Sequence, residues 1–510
     1  MSLRTSLRVK QSLMKQLFII ITIVLIPSSL FPQKEIEKNI TKGLEYSYNF
    51  KWEKAEEVFR NIIKKYEDDP RGYHYLSGIY LWYYLSTNDE EDRLAFISYS
   101  DSVIEKAEAK LEINSADENW LYTIGSTYSY RAIAFAKSEV YLDAAWASKK
   151  SESYLTDALE INPGLYDAYL GLGLYNFAVG QIPAAVKWAL NLAGINGDKE
   201  TGIKYIKLAA DKGNHSKIEA QYYFSQITAE FFNDVETSSA YLKNLVKKYP
   251  ANLLFNYSLA SIYIKDKKLR EAEKILRKVS SEDNSKFIQI ISFSNFLLGD
   301  IFFKKNEFDS AKIYYHKFLE TTTDNDYTGI ANYRLAISYE ITGDRLTAEK
   351  YFEQTDSGNM DLDDDIFARR KGNIFSKRTM SENEIELIKG ANLIDSGNYK
   401  AAYDTLTSLL VKIQSEKLRA ETYLYLSETT FYLGKLGESL SLAAAALKTD
   451  ISDEKWISPF ACYYAARANK ELGDSTAVSY FIDKAEDYSD YDYENRLTNL
   501  IYSINFKEVF

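Results

Sequence analysis

Few groups in this 510-residue chain are suited to chemistry, and they lie far apart. The only histidines are His74, His215 and His316, and none has a second histidine at metal-ligand spacing. Lone histidines in helical segments are usually structural. The single cysteine, Cys462, excludes an intramolecular disulfide. It sits four residues before Ala466 in a helical pattern, where a buried, inert thiol is expected. Asp361, Asp363, Asp364 and Asp365 form an acidic cluster, followed by Arg369, Arg370, Lys371, Lys377 and Arg378. Outside a cell such a cluster raises the question of calcium, but the central glycine and closing glutamate of an EF-hand loop are missing. A solvated linker, or an extra helix whose opposite charges pair locally, suits it better. Gly171 and Gly173 mimic a dinucleotide-binding turn, but no strand precedes them and the third glycine is absent. There is no phosphate loop and no nucleophile elbow. The expectation is a protein that is not an enzyme, with no cofactor and no metal site.

Composition narrows the class. The net charge is -11 and the pI about 5.2, which argues against nucleic acid as a partner. Only 7 prolines and an aromatic share of 15% suit a well-packed helical chain rather than a disordered one. Length alone would suggest about three domains. Internal repetition weakens that inference, because stacked repeats form one continuous body.

The repetition is clearest between Leu253 and Phe352. Asn256, Leu259, Ala260, Tyr263, Ala272 and Leu276 recur as Asn295, Leu298, Gly299, Phe302, Ala311 and Tyr315. They recur again as Asn332, Leu335, Ala336, Tyr339, Ala348 and Phe352, in steps of 39 and then 37 residues. In the third copy, Ile330 to Ile341 and Leu346 to Phe352 have apolar residues at helical spacing, with Gly343-Asp344 as a stop followed by a new N-cap. Each unit is therefore two short antiparallel helices. Ala336 and Ala348 let the backbones approach, and Leu335, Tyr339 and Phe352 fill the space around that contact. One pair cannot bury its apolar face alone, so the pairs must stack. The fold class is all-α, an α-solenoid of stacked antiparallel helix pairs.

This pattern resembles the tetratricopeptide repeat family. Its motif has a small eighth residue, an aromatic eleventh, glycine at the fifteenth, alanine at the twentieth and a bulky twenty-fourth. Ala336, Tyr339, Gly343, Ala348 and Phe352 match throughout. Gly299, Phe302, Ala311 and Tyr315 match with Asn306 in the glycine slot, and the early tryptophan is replaced by Asn256, Asn295 and Asn332. The resemblance implies a superhelix whose concave face is lined by the second, fifth, ninth, twelfth and thirteenth residues of each first helix. In this chain those positions include Tyr257, Ile264 and Lys265, then Phe293, Phe296, Asp300, Phe303 and Lys304, then Tyr333, Ile337 and Glu340. The lining so mapped is aromatic and aliphatic with few charges. The ninth position reads Ser261, Asp300 and Ile337 instead of the asparagine that repeats need to grip a peptide's terminal carboxylate. An apolar helix or extended segment is the expected occupant, unless the superhelix is so tight that these rings bury one another.

Residues 1-33 carry the pattern of a secretory signal. Arg4, Arg8, Lys10 and Lys15 precede an apolar run from Leu17 to Ile26, too short for a bilayer that needs about 20 residues. Met14 is an alternative start, and an uncleaved anchor is the alternative to a cleaved signal. The layout expected is a signal at 1-33, a first solenoid at 34-352 with five or six pairs before residue 250, a charged linker or insertion at 353-381, and a second block at 382-510 ending in a capping helix from Tyr491. A short helix around Trp188 is expected between residues 183 and 192. The functional expectation is an exported scaffold or adaptor, periplasmic or outer-membrane-associated or extracellular, with no integral membrane span after signal removal. It would bind a protein or peptide partner in the concave face. The alternative is an outer-membrane glycan- or nutrient-binding protein of SusD-like type, which also has a repeat-helix core and aromatic platforms.

Overall fold

The structure, a computed structural model, describes residues 30–182, 194–449 and 453–505. The expected signal run and the helix around Trp188 lie outside these residues. The first helix begins at Leu30, inside the last four residues assigned to the signal. Every regular element among the described residues is helical, and the helices pair in chain order. The pairs are α1 (Leu30–Tyr48) with α2 (Trp52–Lys65), α3 (Pro70–Thr87) with α4 (Glu90–Ile113), and α5 (Glu118–Lys137) with α6 (Tyr141–Ile161). Next come α7 (Ala168–Gly180) with α8 (Lys199–Lys212), and α9 (Lys217–Phe231) with α10 (Val235–Lys248). The three clear repeats are α11 (Leu253–Lys265) with α12 (Leu269–Val279), α13 (Ile288–Lys304) with α14 (Phe308–Thr321), and α15 (Thr328–Ile341) with α16 (Arg345–Glu353). A single helix, α17 (Asp363–Phe375), precedes α18 (Glu382–Asp395) with α19 (Tyr399–Lys412), α20 (Glu416–Tyr432) with α21 (Leu436–Leu447), and α22 (Ile457–Leu472) with α23 (Ser475–Glu486). The last helix is α24 (Glu494–Asn505), which begins three residues after the expected Tyr491.

A left-handed residue turns nearly every pair. Phe50, Asn88, Glu139, Asn233, Lys267, Asn306, Gly343, Gly397, Gly434 and Gly473 all have positive φ, and each stands between the two helices of its pair. In this conformation the chain reverses and the last carbonyls of the first helix find new donors. The N–H of Asp344 donates to Tyr339 O at 2.9 Å, and the N–H of Glu307 donates to Phe302 O at 2.9 Å. Past the turn, the helices close on small residues. Ala272, Ala311, Ala336 and Ala348 are fully buried, and a Cβ on Gly299 would lie 2.7 Å from the Tyr315 ring. Gly171 and Gly173 serve the same end: a Cβ on Gly173 would lie 2.6 Å from the Ile206 side chain. Cys462 is buried in α22, and burial pushes its thiol up to about 11. Residues Ser285–Lys304 are apolar and long enough to cross a membrane, but 72% of that stretch is buried inside the protein, as in a core helix.

The solenoid curls twice. In the first turn α1 comes back onto the α10–α11 corner, where the Tyr249 hydroxyl donates to Glu45 at 2.9 Å. Phe287, just before α13, packs on Phe50 and Trp52 with ring centroids 4.6 and 5.0 Å away. In the second turn the α18 face returns to α13, where Asn392 donates to the Phe303 carbonyl at 2.9 Å. The final helix α24 then closes the ring, with Tyr502 packed on Phe232 at 5.8 Å.

Helix α17 holds this closure; Arg369 pairs locally with Asp356 at 3.2 Å, as expected, but other charges of the cluster pair across the fold. Arg370 and Lys371 each lie 2.7 Å from Glu454, 84 and 83 residues further on, and Arg370 also contacts Asp492. Asp363 accepts from the Arg496 amide at 3.1 Å and Asp364 from the Arg496 side chain at 2.6 Å, which fastens α24 to α17. Asp365 is fully buried and accepts from the main-chain N–H of Ile330 at 2.8 Å and of Asn359 at 2.9 Å. Asp363, Asp364 and Asp365 are thus part of the packing between α15, α17 and α24.

Candidate functional site: the cavity of the second turn

The first helices of the second turn enclose a cavity of about 1190 Å³. Its wall runs through α11, α13, α15, α17, α18, α20, α22 and α24. Of the residues assigned to the concave face, Ile264, Lys265, Phe303, Lys304, Tyr333 and Ile337 line it. The other five do not. Phe293 and Phe296 are packed on Phe318, with centroids 5.8 and 5.2 Å away, because the first half of α13 is covered by Tyr327 and the α14 rings. Asp300 accepts from Tyr315 at 2.7 Å and pairs with Arg334. Glu340 accepts from the Met380 amide at 2.9 Å and from Arg345 at 3.1 Å. Tyr257 is half-buried against the same core.

The lining carries far more charge than the three repeats implied. Lys267 and Lys304 lie 3.1 and 3.5 Å from Asp395. Burial opposes the charge on Asp395, but Lys304 and Lys267 outweigh it and hold the carboxyl well below the usual range. On α20, Glu421 and Glu428 face the cavity two turns apart, and burial raises both carboxyls, only partly offset by Lys371 and Lys267 respectively. On the neighbouring first helix α22, the Arg467 guanidinium stacks 4.1 Å from Phe431 and within 6 Å of Tyr432, Tyr463 and Tyr464. Tyr425, Trp456 and Phe460 extend the aromatic wall. The arrangement can hold a ligand with both charge signs and flat apolar surface. His316 stands apart, its Nε2 2.9 Å from the Tyr339 hydroxyl, and does not line the cavity.

The register that places these residues was readable further along. Counting from Gly390, the same five positions are Glu384, Leu387, Ala391, Ile394 and Asp395, and all five line the cavity. Counting from Ser427 finds Glu421, Leu424, Glu428 and Tyr432, and from Ala466 finds Phe460, Tyr463 and Arg467. The contributions of α17 and α24 have no repeat signal.

Fold and cavity together describe an α-solenoid of stacked antiparallel helix pairs. The family model described as Iml2/Tetratricopeptide repeat protein 39 matches residues 126–379, just under half of the chain. This match and the repeat register support a tetratricopeptide-type family. Among solved structures, the chain is similar to a tetratricopeptide repeat protein from Parabacteroides merdae ATCC 43184, with 14% identity over 57% of this chain and 99% of that one, at a TM-score of 0.24. It is similar to yeast Tom70 with 15% identity over 92% and 95%, at a TM-score of 0.26. It is also similar to the P58(IPK) TPR domain, with 14% identity over 80% and 92%, at a TM-score of 0.22. At these scores the likeness adds nothing to the fold as described. No curated protein matches the chain.

Proposed function

We propose that the protein is an exported, non-catalytic scaffold or adaptor that holds a segment of a protein partner in the cavity of its second turn. The observation that carries this reading is the cavity itself. At about 1190 Å³ it exceeds the roughly 300–1,000 Å³ usual for small-molecule sites. Its wall carries Tyr425, Tyr463, Trp456 and Arg467, of the residue types enriched at interface hot spots, together with charges of both signs. The occupant is an extended segment bearing both charges and aromatic or aliphatic side chains, which revises the purely apolar segment expected from three repeats. Export rests on the signal pattern of residues 1-33. A photo-crosslinking residue placed at Tyr333 or Tyr425, inside the cavity, and at Ile313, on the exposed outer face, tests the reading in envelope fractions of the source cell. A discrete protein adduct from the two inner positions and none from Ile313 is expected. Equal adducts from all three, or retention of the protein on polysaccharide with no protein adduct, would overturn it.

A further inference from the structure

The first turn of the solenoid encloses a smaller chamber, and its chemistry differs from that of the large cavity. Two adjoining spaces of about 70 and 40 Å³ share Leu44, Tyr48, Tyr75, Tyr130 and Glu219 in their walls. At about 30 Å³ per water-sized group, they have room for roughly three or four heavy atoms. The residues arrive from successive first helices: Tyr48 from α1, Tyr75 and Trp82 from α3, Tyr130 from α5, and Glu219 with Tyr222 from α9. The curling of the first turn is what brings these helices onto a common centre.

Glu219 is the one carboxylate common to both spaces. It accepts a hydrogen bond from the Tyr130 hydroxyl at 3.1 Å, and among the described residues no lysine or arginine forms an ion pair with it. The other titratable groups facing the chamber are occupied. Asp167 accepts from the amides of Asn214 and Ser216 at 2.8 and 2.9 Å and from the Ser216 hydroxyl at 2.7 Å. His74 Nδ1 lies 2.8 Å from Thr127 Oγ1, and burial lowers that ring to about 4, so it is neutral. His215 Nδ1 lies 3.2 Å from the Tyr75 hydroxyl, and its Nε2 lies 3.5 Å from Glu37 on the far side. Burial raises the phenols of Tyr48, Tyr75, Tyr122 and Tyr130, so they remain un-ionised.

A carboxylate enclosed this way is stable only with a proton or a cation beside it. Aromatic faces around a cavity attract an organic cation through their negative quadrupoles. Leu44, Ile79 and Leu254 supply the apolar contact that a hydrated metal ion would not use. We propose that this chamber is a binding site for a small alkylammonium ion, with Glu219 as its counter-ion and the rings of Tyr48, Tyr75, Tyr130 and Trp82 in its walls. The site is separate from the large cavity and does not depend on what that cavity holds.

Isothermal titration of the full-length chain with ethylammonium chloride tests the proposal, with ethanol as the neutral analogue and potassium chloride as the bare cation. Saturable binding of ethylammonium alone is expected, absent in Glu219→Gln with an unchanged circular-dichroism spectrum. Binding also requires the ionised carboxyl, which burial raises to about 7 against the hydrogen bond from Tyr130. Affinity at pH 8 is therefore expected to be about tenfold tighter than at pH 6. This readout stands even if the variant does not fold. No saturable binding, equal binding by Glu219→Gln, equal binding of ethanol or potassium, or affinity unchanged between those two pH values would overturn the proposal.

Discussion

The side-chain amide of Asn252 donates to the main-chain carbonyl of Tyr48 at 3.0 Å, joining positions 204 residues apart. Tyr48 ends α1, and Asn252 is the N-cap of α11, accepting from the Phe255 amide at 3.0 Å. One residue thus starts a helix and closes the first turn of the superhelix. Asn252→Asp separates the two roles, because a carboxylate still caps α11 but cannot donate to Tyr48. Asn252 is buried, and the substitution leaves a carbonyl unsatisfied beside a new negative charge. A loss of about 1–3 kcal/mol in denaturant unfolding is expected. An unchanged midpoint would mean that the first turn does not depend on this contact.

The second turn has its own clasp at Glu454. This carboxylate is fully buried and takes Arg370, Lys371 and Lys417 at 2.7, 2.7 and 3.1 Å, and the Trp456 indole donates to it at 2.8 Å. Glu454→Gln leaves three cations with too few carboxylates and should cost about 3–5 kcal/mol. The wild-type pH dependence has a definite sign. Burial opposes the charge, but Lys371 and Arg370 outweigh it and hold the carboxyl well below its usual range. A depressed folded pKa gives stability that is present above the unfolded value of about 4.3 and lost as pH falls below it. Acid unfolding of Glu454→Gln should therefore be shallower than that of the wild type below about pH 4.3. Parallel acid transitions would remove Glu454 from the account.

How much of this was legible in the sequence depends on which contact is asked about. The helix-pair repeat, its small-residue contacts at Ala311, Ala336 and Ala348, and the turn at Gly343 are local, and periodicity reports local structure. The cavity lining was legible through Ile337 and, by extending the register, through Asp395, Glu421 and Arg467. It failed at Phe296 because α13 is three residues longer than α15 and the extra length lets Tyr327 cover its first half, and at Asp300 because Tyr315 and Arg334 take up that carboxylate. The contacts of Asn252 with Tyr48, Arg370 with Glu454 and Arg496 with Asp364 carried no signal. They depend on curvature, which accumulates from small rotations between neighbouring pairs and has no single-residue mark. Asp365 was legible only as one of four aspartates, and which one is buried follows from the docking of α17 onto the start of α15.

The small-residue contacts are directly testable. Ala311 and Ala348 are fully buried where the second helix of each pair meets the first. Leucine at either site adds three carbons to a closed contact, and overpacking of this kind costs about 1–3 kcal/mol. Both variants should unfold at lower temperature than the wild type. A midpoint unmoved in both would place the contact elsewhere.

The column of left-handed residues makes the opposite prediction, a gain. Gly343, Gly397, Gly434 and Gly473 adopt positive φ without strain, but Glu139 holds φ 59° in the equivalent place between α5 and α6. A residue with a Cβ is disfavoured there by roughly 1–2 kcal/mol. Glu139 is exposed, so its side chain has little packing to lose, and the turn it makes is main-chain: the N–H of Val140 donates to Phe135 O at 2.9 Å. Glu139→Gly relieves the strain and keeps that bond. Against this, glycine adds freedom to the unfolded chain, a cost of about 0.5–1 kcal/mol. The difference leaves a net gain of up to about 1.5 kcal/mol, read as a higher midpoint in thermal or denaturant unfolding. Glu139→Ala is the control, because it deletes the same side chain but keeps the Cβ, and it should give no gain. Equal stabilisation by alanine and glycine would trace the effect to the lost charge and remove the left-handed turn as its cause.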